Sequence, residues 1–451
     1  MIAIVGGGIT GLAAAYELSL RRIPFQLFEA SSRLGGLIQT EHVDGFTIEA
    51  GPDSILALKP AAIELCDALG LGPRLISTDA PRTAFVMKHG HLYPLPSPSV
   101  LGIPITWRGI IEYELLSPVA RARLALEPLV PPRRGTGDES VGAFFRRRFG
   151  GDTVDLVAQP LLGGIHAGNV DALSMTSLFP RFVEAEATGG SVLRSIRKTR
   201  PPAGDGLFRS LAGGMGELVT ALERCMPEGS IRCNAPIAAI IKDGERWLVP
   251  AAGTTATARA IIIAVPARAA SELLRPIDQR AGSLCAEVPY VSTVSVALAW
   301  PRSAVAHPLE GSGFVVARRH NDVRITACTW VSSKWSGRAP AGTVLLRVFA
   351  GGAHDPGVVD LQDDEIVDLA CRDLSGLLGI SGAPQVTRVY RWRDAGAQHN
   401  VGHTARVSEI EKRLAQHPGL FVAGSGFRSV GIPDCIADGR AAAAAACTSI
   451  E

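Results

Sequence analysis

The sequence predicts a chain of mixed α/β and α+β class in three parts, and three stretches carry that prediction. Residues 1–36 read as strand, glycine turn, helix and second strand, the order of a parallel α/β unit. Between 283 and 386, strand-like runs at 293–300, 313–317, 324–330 and 343–349 succeed one another, which predicts a broad, mainly antiparallel sheet. From Pro98 to Arg200 the pattern is mostly helical and punctuated by proline, which predicts a helical insertion.

The opening unit is the most specific. Residues 2–5 are an apolar run of strand formers, followed by Gly6, Gly8 and Gly11 in G-x-G-x-x-G spacing with Gly7, Ile9 and Thr10 between them, then an alanine-rich helix. Pro24 breaks the chain, and residues 25–28 form a second strand that ends on Glu29 and Ala30. Gly6 permits the tight turn, Gly8 lets the backbone approach a pyrophosphate, and Gly11 lets the helix pack closely on the strand. The helix start offers free N–H groups and a positive dipole end to phosphates. Glu29 stands where a carboxylate accepts hydrogen bonds from a ribose 2′-OH and repels a 2′-phosphate. A Rossmann-like dinucleotide site is the prediction; a merely tight β–α turn is the alternative.

Composition bounds the rest. A chain of 451 residues exceeds one ordinary core, so two or three domains are expected. Apolar residues make up 47% and charged ones 20%, as in a packed globular protein, and a net charge of +2 gives no basic field for nucleic acid. The eight cysteines contain no C-x-x-C pair and no zinc spacing, and the chain begins directly on a strand; together these predict reduced thiols in a cytoplasmic protein. No metal site is expected: His89 and His91, with Gly90 between them and no third ligand near, read as an exposed hairpin turn.

The residues after Glu29 separate FAD from NAD. Arg33, Gly35 and Gly36 come at once, then Thr40, then Gly51-Pro52-Asp53-Ser54. This order resembles the FAD-binding start of the flavin amine oxidase and protoporphyrinogen oxidase superfamily. A second glycine pair lets the chain pass close to the pyrophosphate and ribityl chain of a cofactor longer than NAD. Arg33 is then a candidate to neutralise a phosphate.

Further along, 59–70 places Ala62, Leu65, Cys66 and Leu69 on one helical face, and 82–96 reads as a hairpin. Phe144 to Phe149 closes an amphipathic helix ended by Gly150-Gly151; Arg146, Arg147 and Arg148 read as its solvated end, with a membrane-surface role as the alternative. Residues 160–180 are dense in glycine and short on charge, which points to backbone brought close to a ligand. Arg194, Arg197 and Lys198, with Arg200 before Pro201-Pro202, form either a solvated face or a contact to an anionic substrate. Short strands at 230–243 and 246–249 precede a buried strand at 258–265, 363–378 reads as a helix with acids in its first turn, and 441–446 as a tightly packing helix.

The closing stretch, LFVAGSGFRSVGIPDCIADGRAAAAAA at 420–446, runs a strand into Gly424-Ser425-Gly426 and sets Pro433 where a helix starts. Val430-Gly431-Ile432-Pro433-Asp434-Cys435-Ile436, with 160–180 and Gly51 to Ser54, resembles the oxygen-dependent protoporphyrinogen oxidase and coproporphyrinogen III oxidase family over essentially the whole chain. The resemblance implies a p-hydroxybenzoate-hydroxylase-like FAD-binding domain in three pieces (1–58, 200–268 and 385–451), a substrate-binding sheet domain (75–96 and 269–384) and a helical insertion (97–199) that touches membranes in some members. It implies FAD as cofactor, a porphyrinogen as substrate, O2 as acceptor, other heme-pathway enzymes as partners, and a cytoplasmic location with peripheral contact at the inner face of the membrane. Ile237 falls where backbone meets the adenine, Trp392 where a side chain meets the flavin, and Gly424, Ser425, Val430, Gly431 and Ile432 around its ring. Gly163, Gly164, Ile165, His166 and Gly168 line the substrate, with the Gly164 backbone beside the reacting ring and Arg82 as a partner for a propionate. The family's W-x-x-x-x-P-Q-Y-x-x-G-H appears with Ala397 for proline and His399 for tyrosine, Trp392, Gln398, Gly402 and His403 being kept. A flavin amine oxidase, which would carry a lysine in 293–300 and a closing tyrosine, and a non-catalytic FAD fold are the competing readings; this chain has neither residue.

Overall fold

The computed structural model describes residues 1–135, 137–198, 206–251, 253–428 and 430–450. Arg200 with Pro201-Pro202, expected to end the insertion, and Ser429 of the closing stretch lie outside the described residues. A five-stranded parallel sheet runs Ile231–Arg232, Phe25–Phe28, Ile2–Val5, Ala260–Ile263 and Leu420–Val422 from edge to edge. The strands IAIV and AIII are apolar throughout because both faces are covered. Ile2 and Ile4 point into one core with Leu12, Leu18, Ile436 and Ala443, whereas Ala3 and Val5 point into another with Leu274, Leu284, Val407 and Ile410. Helix Ile432–Thr448 lies on helix Ile9–Leu20, and a Cβ built at Gly439 would overlap the Thr10 carbonyl, so the alanine-rich end packs tightly as the sequence predicts.

The second sheet has seven strands in the order Val386–Ala397, Tyr290–Pro301, Thr343–Gly351, Ile325–Trp330, Gly313–Val316, Ala84–Lys88 and His91–Pro94. All pairs are antiparallel except Gly313–Val316 with Ala84–Lys88. Two predicted boundaries move. Val386–Ala397, placed with the dinucleotide-binding unit, belongs to this sheet, because two twelve-residue strands pair from Tyr290↔Ala397 to Ala299↔Val386. Leu75–Ser77, placed with the sheet domain, instead pairs with Phe208–Leu211 beside Ile55–Leu56.

The insertion has its own core, built by Ile110, Phe144, Phe145, Phe149, Val157, Leu162 and Leu193 among others. Of Arg146, Arg147 and Arg148 only Arg146 is the solvated end that composition suggests, exposed and 3.1 Å from Asp171. On helix Val141–Phe149 the buried residues Val141, Phe144, Phe145, Arg148 and Phe149 fall at helical spacing, so the period that buries the phenylalanines carries Arg148 inside with them. There it pairs with fully buried Glu127 and with Glu186, while Arg147 binds Glu186 and, at 2.6 Å, Glu139. Arg194 and Lys198 are exposed, but Arg197 donates to the Ile105 carbonyl at 2.6 Å and lies 4.7 Å over the Trp107 ring. The glycine-dense run begins inside a π-helix, Val154–Gly163, in which Pro160 sits, and continues as the short helix Gly164–His166. Among the described residues no helix is long and apolar enough to cross a membrane.

Candidate functional site

The opening motif forms a strand–turn–helix in which each glycine has a different neighbour. Gly6 takes φ +108°, and a Cβ there would sit 2.5 Å from the Ala264 carbonyl oxygen; one at Gly11 would overlap the Gly6 carbonyl. At Gly8 the backbone is extended and a Cβ meets nothing within 4 Å. Open space therefore lies in front of Gly8, at the head of a helix whose leading N–H groups have no intrahelical acceptor. Gly35 donates to the Gly7 carbonyl at 2.9 Å and bridges Gly8, and Gly36 lies against the Gly8 backbone, so the two glycine turns are stacked side by side.

Glu29 is oriented by its own chain: one carboxylate oxygen accepts from Gly7 N–H at 2.7 Å, the other from Ser31 N–H and Oγ–H at 2.8 and 2.7 Å. Ala235, two residues before Ile237, donates to the Glu29 carbonyl, which brings that irregular segment beside the acid. Arg33 differs from expectation in what it touches. Its guanidinium reaches the carbonyls of Leu34, Gly36 and Ile38 at 3.2, 2.7 and 3.2 Å, bracing the second glycine turn.

The Gly51 loop is held by groups that the sequence does not announce. Arg347, buried in the large sheet, donates to Ala50 O at 3.0 Å and to Gly51 O at 2.5 Å, and Trp392 Nε1 also donates to Ala50 O, at 2.9 Å. The Trp392 ring stands 3.7 Å from a Cβ built at Gly51. Asp53 accepts from Lys334 at 2.8 Å, from Ser54 at 2.7 Å and from Trp335 at 3.3 Å. Burial alone would raise its pKa, but Lys334 and Arg347 overcome that and hold the carboxyl far below the usual range. The loop is thus latched to the sheet by an ion pair whose members are far apart in sequence.

The closing motif returns to the same place. Gly424, at φ +112°, lies 3.3 Å (from a built Cβ) from Thr10 Oγ1 and donates to Asp438 at 2.7 Å. Helix Ile432–Thr448 starts with Gly431 as N-cap and Pro433 in its first turn, as the sequence predicts. Val430 is exposed beside it, and Lys59 donates to both Asp434 carboxylate oxygens at 2.8 and 2.6 Å.

Gly163 to Gly168 meet this assembly through Gln398, which donates to the His166 carbonyl at 2.9 Å, and through Ala353, which donates to the Ala167 carbonyl at 2.8 Å. A Cβ at Gly163 would overlap Gln159 and one at Gly168 would overlap Gln398, but at Gly164 it meets nothing within 4 Å. Ile165 next to it is 68% exposed. His166 stacks edge-on to Phe179; burial, then His399 and Lys59, push its pKa down to about 4. Arg82 is exposed and bonds Thr78, and among the described contacts none joins it to Gly163–Gly168.

His399 and His403, one a departure from the family pattern and the other kept, stack with centroids 3.9 Å apart and planes at 12°. His399 Nε2 faces Ser425 O at 2.9 Å and His403 Nε2 faces Phe427 O at 2.7 Å. Their spacing of four residues was the visible signal; their carbonyl partners were not visible.

The open space before Gly8, at the head of a helix with free N–H groups, suits the phosphates of a dinucleotide. The family model for flavin containing amine oxidoreductases matches residues 9–447. Coproporphyrinogen III oxidase of Bacillus subtilis (strain 168) is 37% identical over 463 aligned residues, covering 99% of this chain and 98% of its own length. That of Staphylococcus aureus (strain NCTC 8325 / PS 47) is 33% identical, covering 98% of each. The crystal structure of a protein assigned as a protoporphyrinogen oxidase from Exiguobacterium sp. 255-15 superposes with a TM-score of 0.87 at 33% identity, covering 100% of this chain and 98% of the other. The cofactor is therefore FAD, and the chain belongs to the flavin containing amine oxidoreductase family.

Proposed function

We propose that this protein oxidises a porphyrinogen, coproporphyrinogen III or protoporphyrinogen IX, to the porphyrin with O2 as acceptor, as a step of heme biosynthesis. The observation that carries the proposal is likeness along the full length to chains named coproporphyrinogen III oxidase. When bound, FAD supplies a two-electron acceptor that O2 renews. The chain's own residues position the reactants. Gly6 to Gly11 hold the diphosphate, Glu29 the ribose, the Ile237 backbone the adenine, and Gly51, Pro52, Trp392 and the Gly431–Ile432 helix start surround the ring. The dipole of that start favours negative charge beside it. Gly164, lacking a side chain and facing open space, lets a flat macrocycle approach, with Ile165 as an apolar wall and Arg82 as a propionate partner.

Two measurements test this. Under anaerobic conditions coproporphyrinogen III or protoporphyrinogen IX is expected to bleach the visible flavin absorbance while primary amines do not; a porphyrinogen that leaves the spectrum unchanged sinks the proposal. Gly164 has helical dihedrals that any residue adopts. Gly164→Leu is therefore expected to fold and keep FAD while kcat/KM for porphyrinogen drops by about 100-fold, roughly 2.7 kcal/mol.

We also infer a cytoplasmic location with peripheral contact at the inner face of the membrane. Free cysteines suit a reducing compartment, and Trp107, Ile111, Val119 and Leu129 of the insertion are exposed, Val119 by 80% and Leu129 by 74%. The expected result is co-sedimentation with anionic phospholipid vesicles that weakens in Val119→Asp; vesicles that leave the protein in the supernatant contradict the inference.

A further inference from the structure

The stacked pair His399 and His403 joins three segments that the site needs together. Beyond its bond to Ser425 O, His399 is reached on Nδ1 by Ser177 Oγ at 3.1 Å, and its carbonyl accepts from Ser174 N–H at 2.8 Å. Val401 donates to Ala172 O at 2.9 Å, and Gly402 donates to the Asp138 carboxylate at 3.0 Å. The segment 399–403 is thereby fastened to the insertion just past Gly163–Gly168 on one side and to the Gly424–Phe427 turn on the other.

The hydrogen bonds define the protonation. A ring nitrogen facing a carbonyl oxygen must carry the proton, so Nε2–H donates in both rings. His399 Nδ1 then accepts from Ser177, and His403 Nδ1, buried, has no partner among the described residues. A second proton on His403 would be a buried donor with no acceptor among the described residues, and on His399 it would require the Ser177 hydroxyl to rotate and accept instead of donate. Two cations stacked at 3.9 Å would also repel one another.

We propose that His399 and His403 are positioning residues that clip the Gly424–Phe427 turn to the insertion, and that the clip holds the turn in its FAD-binding form only while both rings are neutral. This rests on the assignment of that turn to the flavin end of the site. The surrounding charges favour neutrality. Arg406, on the helix begun by His403, and His166 on the insertion oppose a further cation; Arg406 is itself only 3.5 Å from Glu287. Asp138 pulls the other way but is shared between Ser174 and Gly402. Arg428 of the closing segment is occupied by Asp438 and Glu411, Arg280 of the neighbouring helix Gln279–Ala286 by Glu287, and helix Met175–Leu178 carries no charge. Burial, then His399, push His403 down to about 4, and burial lowers His399. An imidazole depressed in this way leaves stability full above about 6.5, where the unfolded chain titrates, and drains it as pH falls toward about 4.

The test follows release of FAD from holoenzyme by the fluorescence of freed cofactor between pH 8 and 5. Wild type is expected to release FAD about tenfold faster at pH 5.5 than at pH 7.5. His399→Gln combined with His403→Gln keeps a neutral N–H donor at each place and is expected to flatten that profile. His403→Leu lacks the donor and is expected to release FAD fast at every pH, with far-UV circular dichroism checking its fold. A flat wild-type profile, or a Gln pair that remains as acid-sensitive as wild type, overturns the proposal. Porphyrinogen turnover at pH 8 is measured separately: its absence would overturn the proposed reaction, while the release profiles still decide the clip.

Discussion

Gly8→Val is expected to strip the protein of its cofactor without unfolding it. Its φ of −69° and ψ of 176° suit any residue, and no protein atom lies within 4 Å of the added Cβ, so thermal unfolding of the FAD-free variant stays within about 0.5 kcal/mol of wild type. A valine there occupies the space that the pyrophosphate needs, so affinity for FAD, read by titration of apoprotein, falls by at least about 100-fold, roughly 2.7 kcal/mol. Gly11→Val supplies the contrast. Its side chain would drive into the Gly6 carbonyl oxygen, so the strand and helix separate and stability falls with binding. Wild-type FAD affinity in Gly8→Val would show that the phosphates lie elsewhere.

Arg148→Met is expected to unfold the insertion, at a cost of about 3–5 kcal/mol in chemical denaturation. Beyond its carboxylate partners, the guanidinium bonds the carbonyls of Val130 at 2.9 Å and Gly190 at 3.0 Å, which ties segments before and after helix Val141–Phe149 to it. Removing it leaves the buried Glu127 carboxyl without its ion-pair partner. Adding Glu127→Leu regains only part of the loss, because Glu127 also accepts from Ser191 Oγ at 2.6 Å and from the N–H groups of Val192 and Leu193 at 2.9 and 3.3 Å. It thus caps helix Val192–Lys198 as well as neutralising the arginine. An Arg148→Met denaturation midpoint equal to wild type would contradict this account.

The same arginine shows what a sequence discloses. Its position one helical stripe along from Val141, Phe144 and Phe145 was written in the spacing, while the density of three arginines argued for solvent; the period prevailed because the phenylalanines decide which face is buried. The glycine strip was legible for the opposite reason, since Glu29, Gly35 and Gly36, which it meets directly, lie within a few dozen residues, although the Ala264 carbonyl that crowds Gly6 does not. Lys334 and Arg347 were not legible. Nothing near them in sequence marks them as partners of Asp53 and Gly51, and only the alignment of the large sheet beside the loop brings them there. Val386–Ala397 misled because Trp392 bonds the loop before Gly51, in the opening unit, while its strand bonds the other sheet. One strand does both, which a division of the chain into consecutive domains cannot express.

The seat of helix Ile432–Thr448 on helix Ile9–Leu20 makes the first glycine turn depend on a segment far along the chain. Strand Leu420–Val422 completes one edge of the parallel sheet and Gly439 closes over Thr10, so local folding of residues 2–20 leaves that turn without one of its walls. Removal of helix Ile432–Thr448 is expected to uncover Leu12, Ala13 and Leu18, which share its core.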